Sequence, residues 1–416
     1  MLEFLSKRGK TNVKDLPALV KAHFNALKDL YDPVSNPEGY INMGTAETKL
    51  VDGELIELMK KIMDRLHIEP SNLHYNKFHG SDQFRQAIAK HWQKVVFAGR
   101  EGGSLTKDNI AVTAGCTAAL EMLATLLGDE GDVFLIPAPY YSSFTDDINE
   151  RAGVIPEAVY CTENLEKEVF YRKIKELKAE GKNVRCVLFS SPNNPVGTVY
   201  KKEALKNIID FCMENNLDLI SDEIYAETVF DPEAKFISVM SLVPEEYMHR
   251  VHVTSSFAKD FALSGFRTGL CISFNREIIR GMENITYFGS VSSITQTILK
   301  ELLKAPELEE LMKLNRQRLR KTCALMKQGL AEIGVVTKKA EAGIFLWADF
   351  RPFMNKTEFE EEFVLWEKIY NELKINISPG QLFASEEPGW FRICYADDIR
   401  CVQEACRRLA SLRKRG

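Results

Sequence analysis

The feature that most constrains the fold of this 416-residue chain is an alternation of short apolar runs with longer amphipathic stretches between residues 109 and 274. The runs are residues 110–113, 133–136, 184–189, 217–222, 251–254 and 270–274. Runs of this length separated by helical segments predict a mostly parallel sheet that is covered on both faces. Such sheets bind ligands beyond the carboxyl ends of their strands, so polar residues directly after the runs are candidates for a site.

The composition narrows the class of protein. A net charge of −5 offers no basic excess to neutralise a phosphate backbone, which argues against a nucleic-acid partner. No apolar run approaches the roughly 18 residues that indicate a membrane span, and no apolar signal segment follows the basic residues at the start. Nine scattered cysteines without a Cys-x-x-Cys pair, and histidines without metal-ligand spacing, predict a reduced cytoplasmic protein that binds no metal.

A lone lysine, Lys259, lies in a turn between two of the apolar runs. A lysine is in most cases a solvated surface residue, so its position alone decides nothing. Its neighbours favour a binding role, because the hydroxyl of Ser256 and the guanidinium of Arg267 both suit an anion such as a phosphate. Gly265 and Gly269 leave room for a close approach of the backbone. The stretch therefore predicts a lysine beside an anion site.

Three further polar positions follow or interrupt apolar runs. Asp222 ends one run and is costly to bury unless a cation pairs with it. A helix that opens directly after Gly115 presents unpaired N–H groups to an anion at Cys116 and Thr117. Arg392 lies inside a late apolar run, so either a structural carboxylate or a ligand carboxylate pairs with it.

Four short motifs complete the pattern. They are Asn194-Pro195-Val196-Gly197, Asp222-Glu223-Ile224-Tyr225, Ser256-Phe257-Ala258-Lys259 and Gly265-Phe266-Arg267. Turn chemistry alone could explain the first, since proline and asparagine favour turns in any protein. In this order, however, the motifs resemble the pyridoxal-phosphate enzymes of fold type I, the aspartate-aminotransferase fold. Within that fold the chain looks most like the 1-aminocyclopropane-1-carboxylate (ACC) synthase family, from about residue 32 to its end.

The resemblance implies an α/β fold with a mostly parallel central sheet and a smaller α+β domain. It divides the chain into an N-terminal arm with part of the small domain (residues 1–50), a large cofactor-binding domain (51–290) and a C-terminal small domain (291–416). It also implies pyridoxal 5′-phosphate as the cofactor, a small-molecule amino acid as the substrate, and a homodimer, because this fold builds each active site from two subunits.

The resemblance also implies roles for individual residues. Lys259 would carry the cofactor as a Schiff base and then act as a base, while Asp222 would keep the pyridine nitrogen protonated. The implied catalytic residues are Lys259, Asp222, Tyr225 and Tyr141. The implied cofactor-binding residues are Cys116, Thr117, Tyr141, Asn194, Asp222, Tyr225, Ser256, Lys259 and Arg267. The implied substrate-binding residues are Glu47 and Arg392, the latter gripping the α-carboxylate.

Three positions depart from the family pattern. Thr48 stands where the family has an asparagine. Phe78 replaces a tyrosine that reaches the cofactor phosphate of the other subunit, so either Tyr75 substitutes for it or fewer groups hold the phosphate. Asp146 stands where the family has an arginine, five residues after Tyr141, and this charge reversal bears on the identity of the substrate.

The reaction that the resemblance implies begins with removal of the α-proton of an amino acid by Lys259. Cleavage of the Cγ–S bond of S-adenosylmethionine would follow, with either cyclopropane formation or replacement at Cγ. Two alternatives stay open at this point. One is an aminotransferase that moves an amino group between an amino acid and a 2-oxo acid, and the other is a catalytically silent homologue with a binding role.

Overall fold

The computed structural model describes residues 4–13, 15–16 and 18–415. Its helices are α1 (Lys7–Asn12), α2 (Ala18–Ala26), α3 (Asp52–Asp64), α4 (Asp82–Val96), α5 (Cys116–Leu127), α6 (Phe144–Asn149), α7 (Lys167–Ala179), α8 (Lys202–Asn215), α9 (Arg276–Ile285), α10 (Ser293–Lys304), α11 (Glu307–Glu332), α12 (Phe359–Leu373) and α13 (Ile399–Leu409). Its strands are β1 (Ile41–Asn42), β2 (Ile110–Thr113), β3 (Val133–Ala138), β4 (Ile155–Tyr160), β5 (Val184–Ser190), β6 (Asp218–Asp222), β7 (Val251–Ser256), β8 (Gly269–Ser273), β9 (Val336–Thr337), β10 (Phe345–Asp349), β11 (Ile375–Asn376), β12 (Ser378–Pro379) and β13 (Trp390–Cys394).

Seven strands form the central sheet, in the order β2-β8-β7-β6-β5-β3-β4. The pairs β4–β3, β3–β5, β5–β6 and β6–β7 are parallel, whereas β8 runs antiparallel to both of its neighbours, β7 and β2. Parallel neighbours need a crossover connection, and α8 supplies the one between β5 and β6. The prediction of a mostly parallel central sheet is therefore confirmed.

The sheet is buried on both faces because its strands are apolar at successive positions. In β3, Phe134 and Ile136 belong to one apolar cluster, together with residues of α5. Val133 and Leu135 belong to a second cluster on the other face, together with residues of α8. This period of two is the one that a strand imposes on its side chains. The continuous apolar runs of the sequence are thus central strands covered on both sides.

A second unit contains the four-stranded antiparallel sheet β12-β13-β10-β9. The parallel pairing of β1 with β11 places Ile41 opposite Ile375, so the N-terminal segment joins this unit. The division into residues 1–50, 51–290 and 291–416 stays a proposal. Residues 1–3, 14, 17 and 416 of that division lie outside the described part of the chain.

All nine cysteines are free thiols. Within the described ranges, no helix combines the length and the apolar character that crossing a bilayer requires. The same ranges contain no group of three or more histidine, cysteine, aspartate or glutamate side chains placed to hold a metal ion.

Candidate active site

A cavity of about 370 Å³ opens where the central strands reach their carboxyl ends and the C-terminal unit packs against them. This volume lies in the range of small-molecule sites. Ten of the eleven predicted site residues line it, namely Cys116, Thr117, Tyr141, Asn194, Asp222, Tyr225, Ser256, Lys259, Arg267 and Arg392. The structure therefore brings together residues that are up to 276 positions apart in the sequence, from Cys116 to Arg392.

Lys259 is partly buried in the turn that follows β7. Its Nζ donates a hydrogen bond to the carbonyl oxygen of Ala46, which lies in the segment after β1. Burial lowers the pKa of the Lys259 amine to about 8, and the positive charges of Arg392 and Arg267 act in the same direction. The amine can therefore lose its proton near neutral pH, as a base or a nucleophile must.

Asp222 is a buried carboxyl at the end of β6, where it is 4% exposed. Its Oδ1 accepts hydrogen bonds from the Cys116 thiol at 3.3 Å and from the Thr254 hydroxyl at 3.2 Å. Burial raises the pKa of Asp222 to about 6. No cationic side chain of the described residues forms an ion pair with this carboxyl, so the cavity provides a place for a cation that comes with a ligand.

Two further groups present hydrogen-bond donors to the cavity. The Nδ2 of Asn194 and the hydroxyl of Tyr225 have no hydrogen-bond partner within residues 18–415. Burial raises the pKa of Tyr225 well above its usual range, so its phenol stays a neutral donor. Burial also raises the pKa of Tyr141 to about 12, and its ring meets that of Phe144 edge to face at 5.4 Å.

The end of the cavity at the start of α5 is suited to an anion. Helix α5 begins after Gly115, which has a φ of 93° and offers no side-chain cap to the first N–H groups. A Cβ at Gly115 would lie 2.8 Å from the guanidinium of Arg267, so only glycine lets this cation lie against the turn. Ser256 adds a buried hydroxyl, whose oxygen accepts from the Ala258 N–H at 3.0 Å. Because the Cys116 thiol faces Asp222, only the backbone of Cys116 is directed to this end.

Arg392 lies on β13 and is 5% exposed. It donates to the Gly44 carbonyl at 2.7 Å and to Asn194 Oδ1 at 3.2 Å, while its Nε has no partner. Its guanidinium lies 4.7 Å from the centre of the Phe383 ring. No carboxylate of the described residues pairs with it, so of the two alternatives for this arginine the structure favours a ligand carboxylate.

Among the residues singled out from the sequence, Glu47, Asp146 and Phe78 lie outside the cavity wall. Glu47 is exposed, and its Oε1 accepts a hydrogen bond from the Ser264 hydroxyl at 2.7 Å, in the loop after Lys259. Asp146 is exposed on α6. Phe78 packs edge to face on Tyr287 at 5.0 Å between ring centres. The predicted contact of Glu47 with a substrate stays a prediction.

Two parts of the wall were not predicted. Asp147 is buried in the wall, on the face of α6 that it shares with Phe144 and Ile148. Helix α2 lies at the mouth of the cavity, where His23 Nδ1 lies 2.7 Å from Thr45 Oγ1. Nothing in the sequence signalled this position of α2, because it depends on packing between distant segments.

Comparison with known proteins identifies the family. The family model described as aminotransferase class I and II matches residues 38–409. The chain belongs to this family. Within aminotransferase class I and II, it is 35% identical over 411 residues to 1-aminocyclopropane-1-carboxylate synthase 4 of Arabidopsis thaliana, covering 92% of this chain and 85% of that protein. It is 33% identical over 387 residues to 1-aminocyclopropane-1-carboxylate synthase 2 of Solanum lycopersicum, covering 89% and 79%.

Solved structures of this family have the same fold. A double mutant of Thermus thermophilus aspartate aminotransferase matches with a TM-score of 0.80 at 22% identity, over 98% of this chain and 99% of that chain. The aromatic aminotransferase of Pyrococcus horikoshii OT3 matches with a TM-score of 0.76 at 25% identity, over 95% and 99%. The prediction of fold type I is confirmed, and the chain is a pyridoxal-phosphate-dependent, ACC synthase-like enzyme of the lyase or transferase class.

The residues of the cavity fit this cofactor. Asp222 is a carboxyl without a cation and could pair with a protonated ring nitrogen, while Asn194 and Tyr225 offer unused donors to the 3′-oxygen. The amine of Lys259 could react with the aldehyde group of the cofactor. The start of α5, beside the guanidinium of Arg267, suits the phosphate.

Proposed function

We propose that this enzyme removes the α-proton of an amino acid with Lys259 and then cleaves the Cγ–S bond of S-adenosylmethionine, with cyclopropane formation or replacement at Cγ. The observation that carries the proposal is that an amine of lowered pKa, Lys259, and a guanidinium without a carboxylate partner, Arg392, line one cavity. Identity of 33–35% with ACC synthases over about nine tenths of the chain supports S-adenosylmethionine as the substrate.

Arg392 binds the α-carboxylate of the substrate in this proposal. Its planar fork matches a carboxylate with two parallel hydrogen bonds. Its side chain is already held by Gly44 and Asn194, so little conformational entropy is lost when the substrate arrives. The buried aromatic ring of Phe383 packs against the guanidinium.

Pyridoxal phosphate would be held at four places. Asp222 would keep a proton on the ring nitrogen, and Asn194 and Tyr225 would donate to the 3′-oxygen. Tyr141 would pack on the ring. The N–H groups at the start of α5, with Thr117, Ser256 and Arg267, would hold the phosphate. When bound, pyridoxal phosphate supplies an electron sink conjugated to the substrate Cα.

Lys259 acts as the base. Its amine is close to half protonated at pH 8, so a large fraction is free to accept the α-proton near that pH. The hydrogen bond from Nζ to the Ala46 carbonyl holds the side chain at the segment that leads to Glu47. The same contact ties the base to the part of the chain that the family places at the substrate.

The side chains at the mouth of the cavity favour a substrate with a large, partly aromatic side chain. Leu19, Val20, His23 and Phe24 of α2 line it. Rings and aliphatic groups of this kind suit the adenosyl group of S-adenosylmethionine, which can stack on an aromatic side chain. A second candidate function is amino transfer to a 2-oxo acid, and the structural match to aspartate and aromatic aminotransferases favours it.

We also propose that the enzyme is a homodimer in the cytoplasm. Tyr75, Tyr287 and Phe288 are 97%, 63% and 80% exposed, and with Phe78 they form a chain of ring contacts on the surface. An exposed aromatic group of this kind is typical of an interface between subunits. The nine free thiols suit a reducing compartment.

The test is to incubate the cofactor-loaded protein with S-adenosylmethionine and to follow methylthioadenosine by mass spectrometry. We expect methylthioadenosine with either the cyclopropane amino acid or a product substituted at Cγ, and neither with Lys259→Ala. A parallel reaction contains an amino acid and a 2-oxo acid. Amino transfer there, without methylthioadenosine in the first reaction, would replace the proposal by the second candidate.

A further inference from the structure

Asp147 is a buried carboxyl of the cavity wall that the proposed reaction does not use. It lies on α6, is 8% exposed, and its Oδ2 has no hydrogen-bond partner within the described residues. Thr117, at the start of α5, lines the same wall. A buried carboxyl with an unused oxygen is costly, so its position calls for a partner that arrives with a ligand.

The protein groups that face Asp147 are neutral or acidic. Asp222 at the end of β6, Cys116 and Thr117 at the start of α5, and Tyr141 line the same cavity as Asp147, and Asp146 precedes Asp147 on α6. Strand β4 also packs against α6 but brings no charged group to the carboxyl. Burial and the charge of Asp222 together raise the pKa of Asp147 to about 7. Asp147 and Asp222 therefore line one cavity, and neither forms an ion pair with a cationic side chain of the described residues, although Lys259, Arg267 and Arg392 line the same cavity.

We propose that Asp147 is a positioning residue of the cofactor site, whose negative charge helps Asp222 to hold the proton on the ring nitrogen of pyridoxal phosphate. The inference rests on the role proposed above for Asp222. A protonated ring nitrogen would bring the positive charge that the two carboxyls lack. In a buried wall, where charges are poorly screened, a second carboxylate strengthens that attraction.

The experiment uses the apoprotein loaded with pyridoxal phosphate that carries ¹⁵N in its ring. The ¹⁵N chemical shift reports the protonation of the ring nitrogen and is followed as the pH is raised. In the wild-type protein we expect the proton to persist to higher pH than in Asp147→Asn, by about one pH unit or more, which is about tenfold in proton affinity.

Matched variants separate this charge from other effects. Asp146→Asn removes the same charge from the exposed side of the same helix and is expected to titrate like the wild-type protein. Asp147→Glu keeps the charge and is expected to restore most of the wild-type midpoint. Asp147→Ser provides a second neutral side chain if Asp147→Asn does not fold. Asp222→Asn is expected to lose the ring proton at neutral pH.

The outcomes distinguish the inference from the function on which it rests. The inference would be overturned if the ring nitrogen of both neutral variants of Asp147 titrated as in the wild-type protein while its midpoint was shifted in Asp222→Asn. That result would leave the role of Asp222 intact. An unchanged titration midpoint of the ring nitrogen in Asp222→Asn would overturn the role of Asp222 and the inference with it. Equal shifts in Asp146→Asn and Asp147→Asn would also overturn the inference, because any nearby charge would then have the same effect.

Discussion

Arg392 Nη1 donates a hydrogen bond to Asn194 Oδ1 at 3.2 Å, and this bond joins β13 of the C-terminal unit to the loop after β5. Because the amide oxygen of Asn194 is occupied, its Nδ2 is the end left for a ligand. Within the described residues the arginine in turn is oriented by neutral acceptors alone, and no carboxylate neutralises its charge. The residue proposed for the substrate and the residue proposed for the cofactor oxygen thus orient each other.

Arg392→Lys is expected to weaken amino acid binding by about 1–3 kcal/mol, or roughly 5- to 150-fold, because a lysine keeps the charge but loses the two-pronged fork. The dissociation constant is measured from the absorbance change of the cofactor when S-adenosylmethionine or another amino acid is added. Arg400→Lys, at a side chain that is 62% exposed, is the control. Unchanged affinity in Arg392→Lys would mean that this arginine is structural.

Lys259→Ala is expected to abolish the covalent attachment of pyridoxal phosphate. Reduction of the loaded protein with borohydride, followed by intact-mass and peptide analysis, should find the cofactor on Lys259 in the wild-type protein and nowhere in the variant. Lys60→Ala, at an exposed lysine paired with Glu57, should behave like the wild-type protein. A cofactor adduct on another lysine would contradict the assignment.

The stability of the apoprotein is expected to depend on pH through Lys259. Its pKa of about 8 in the folded chain lies below the ordinary value of 10.5, so the unfolded chain binds more protons between these pH values. Stability contributed through this group therefore rises from pH 8 to 10.5. Lys259→Met should be more stable than the wild-type apoprotein by about 1–3 kcal/mol below pH 8, and this gain should vanish above pH 10.5. Urea unfolding at several pH values measures it, and a gain independent of pH would exclude this cause.

Gly269→Ala is expected to damage the phosphate end of the cavity. A Cβ at residue 269 would lie 2.3 Å from the carbonyl carbon of Gly115 and 2.6 Å from the Cys116 nitrogen, so the backbone at the start of α5 must move. We expect at least a tenfold loss of affinity for pyridoxal phosphate and a loss of stability of about 1–3 kcal/mol. Gly265→Ala is the control, since no atom lies within 4 Å of the added Cβ. Equal affinities in the two variants would contradict the close approach.

Most of the central sheet could be predicted because its strands are apolar on both faces. The bounds of β2 agree with the apolar run 110–113 residue for residue. Strand β4 was not predicted, because it is an edge strand that contains Pro156 and Glu157 and is mostly half-buried. The two-residue strands β1 and β11 carry no periodic signal, since they exist only through their pairing with each other.

The site could be predicted where a charged residue interrupts or directly follows an apolar run. Asp222 and Arg392 stand out as charges in apolar runs, and Lys259 as a cation in a turn between strands. Asp147 lacks such a signal because it lies beside another acid on a short helix, and only the fold decides which of the two is buried. The family pattern directed attention to Asp146, which the structure places in solvent.

The pairing of β1 with β11 sets an order of events during synthesis. The side chains of Asn42 and Asn376, hydrogen bonded at 2.9 Å, belong to residues 334 positions apart. A ribosome that adds ~5–20 residues per second needs on the order of 20–70 s between the two. The central sheet can assemble during that interval. The segment that brings Ala46 to Lys259 follows β1, and β1 has no strand to pair with until β11 has been synthesised. A nascent chain therefore acquires its scaffold well before it acquires a closed substrate cavity.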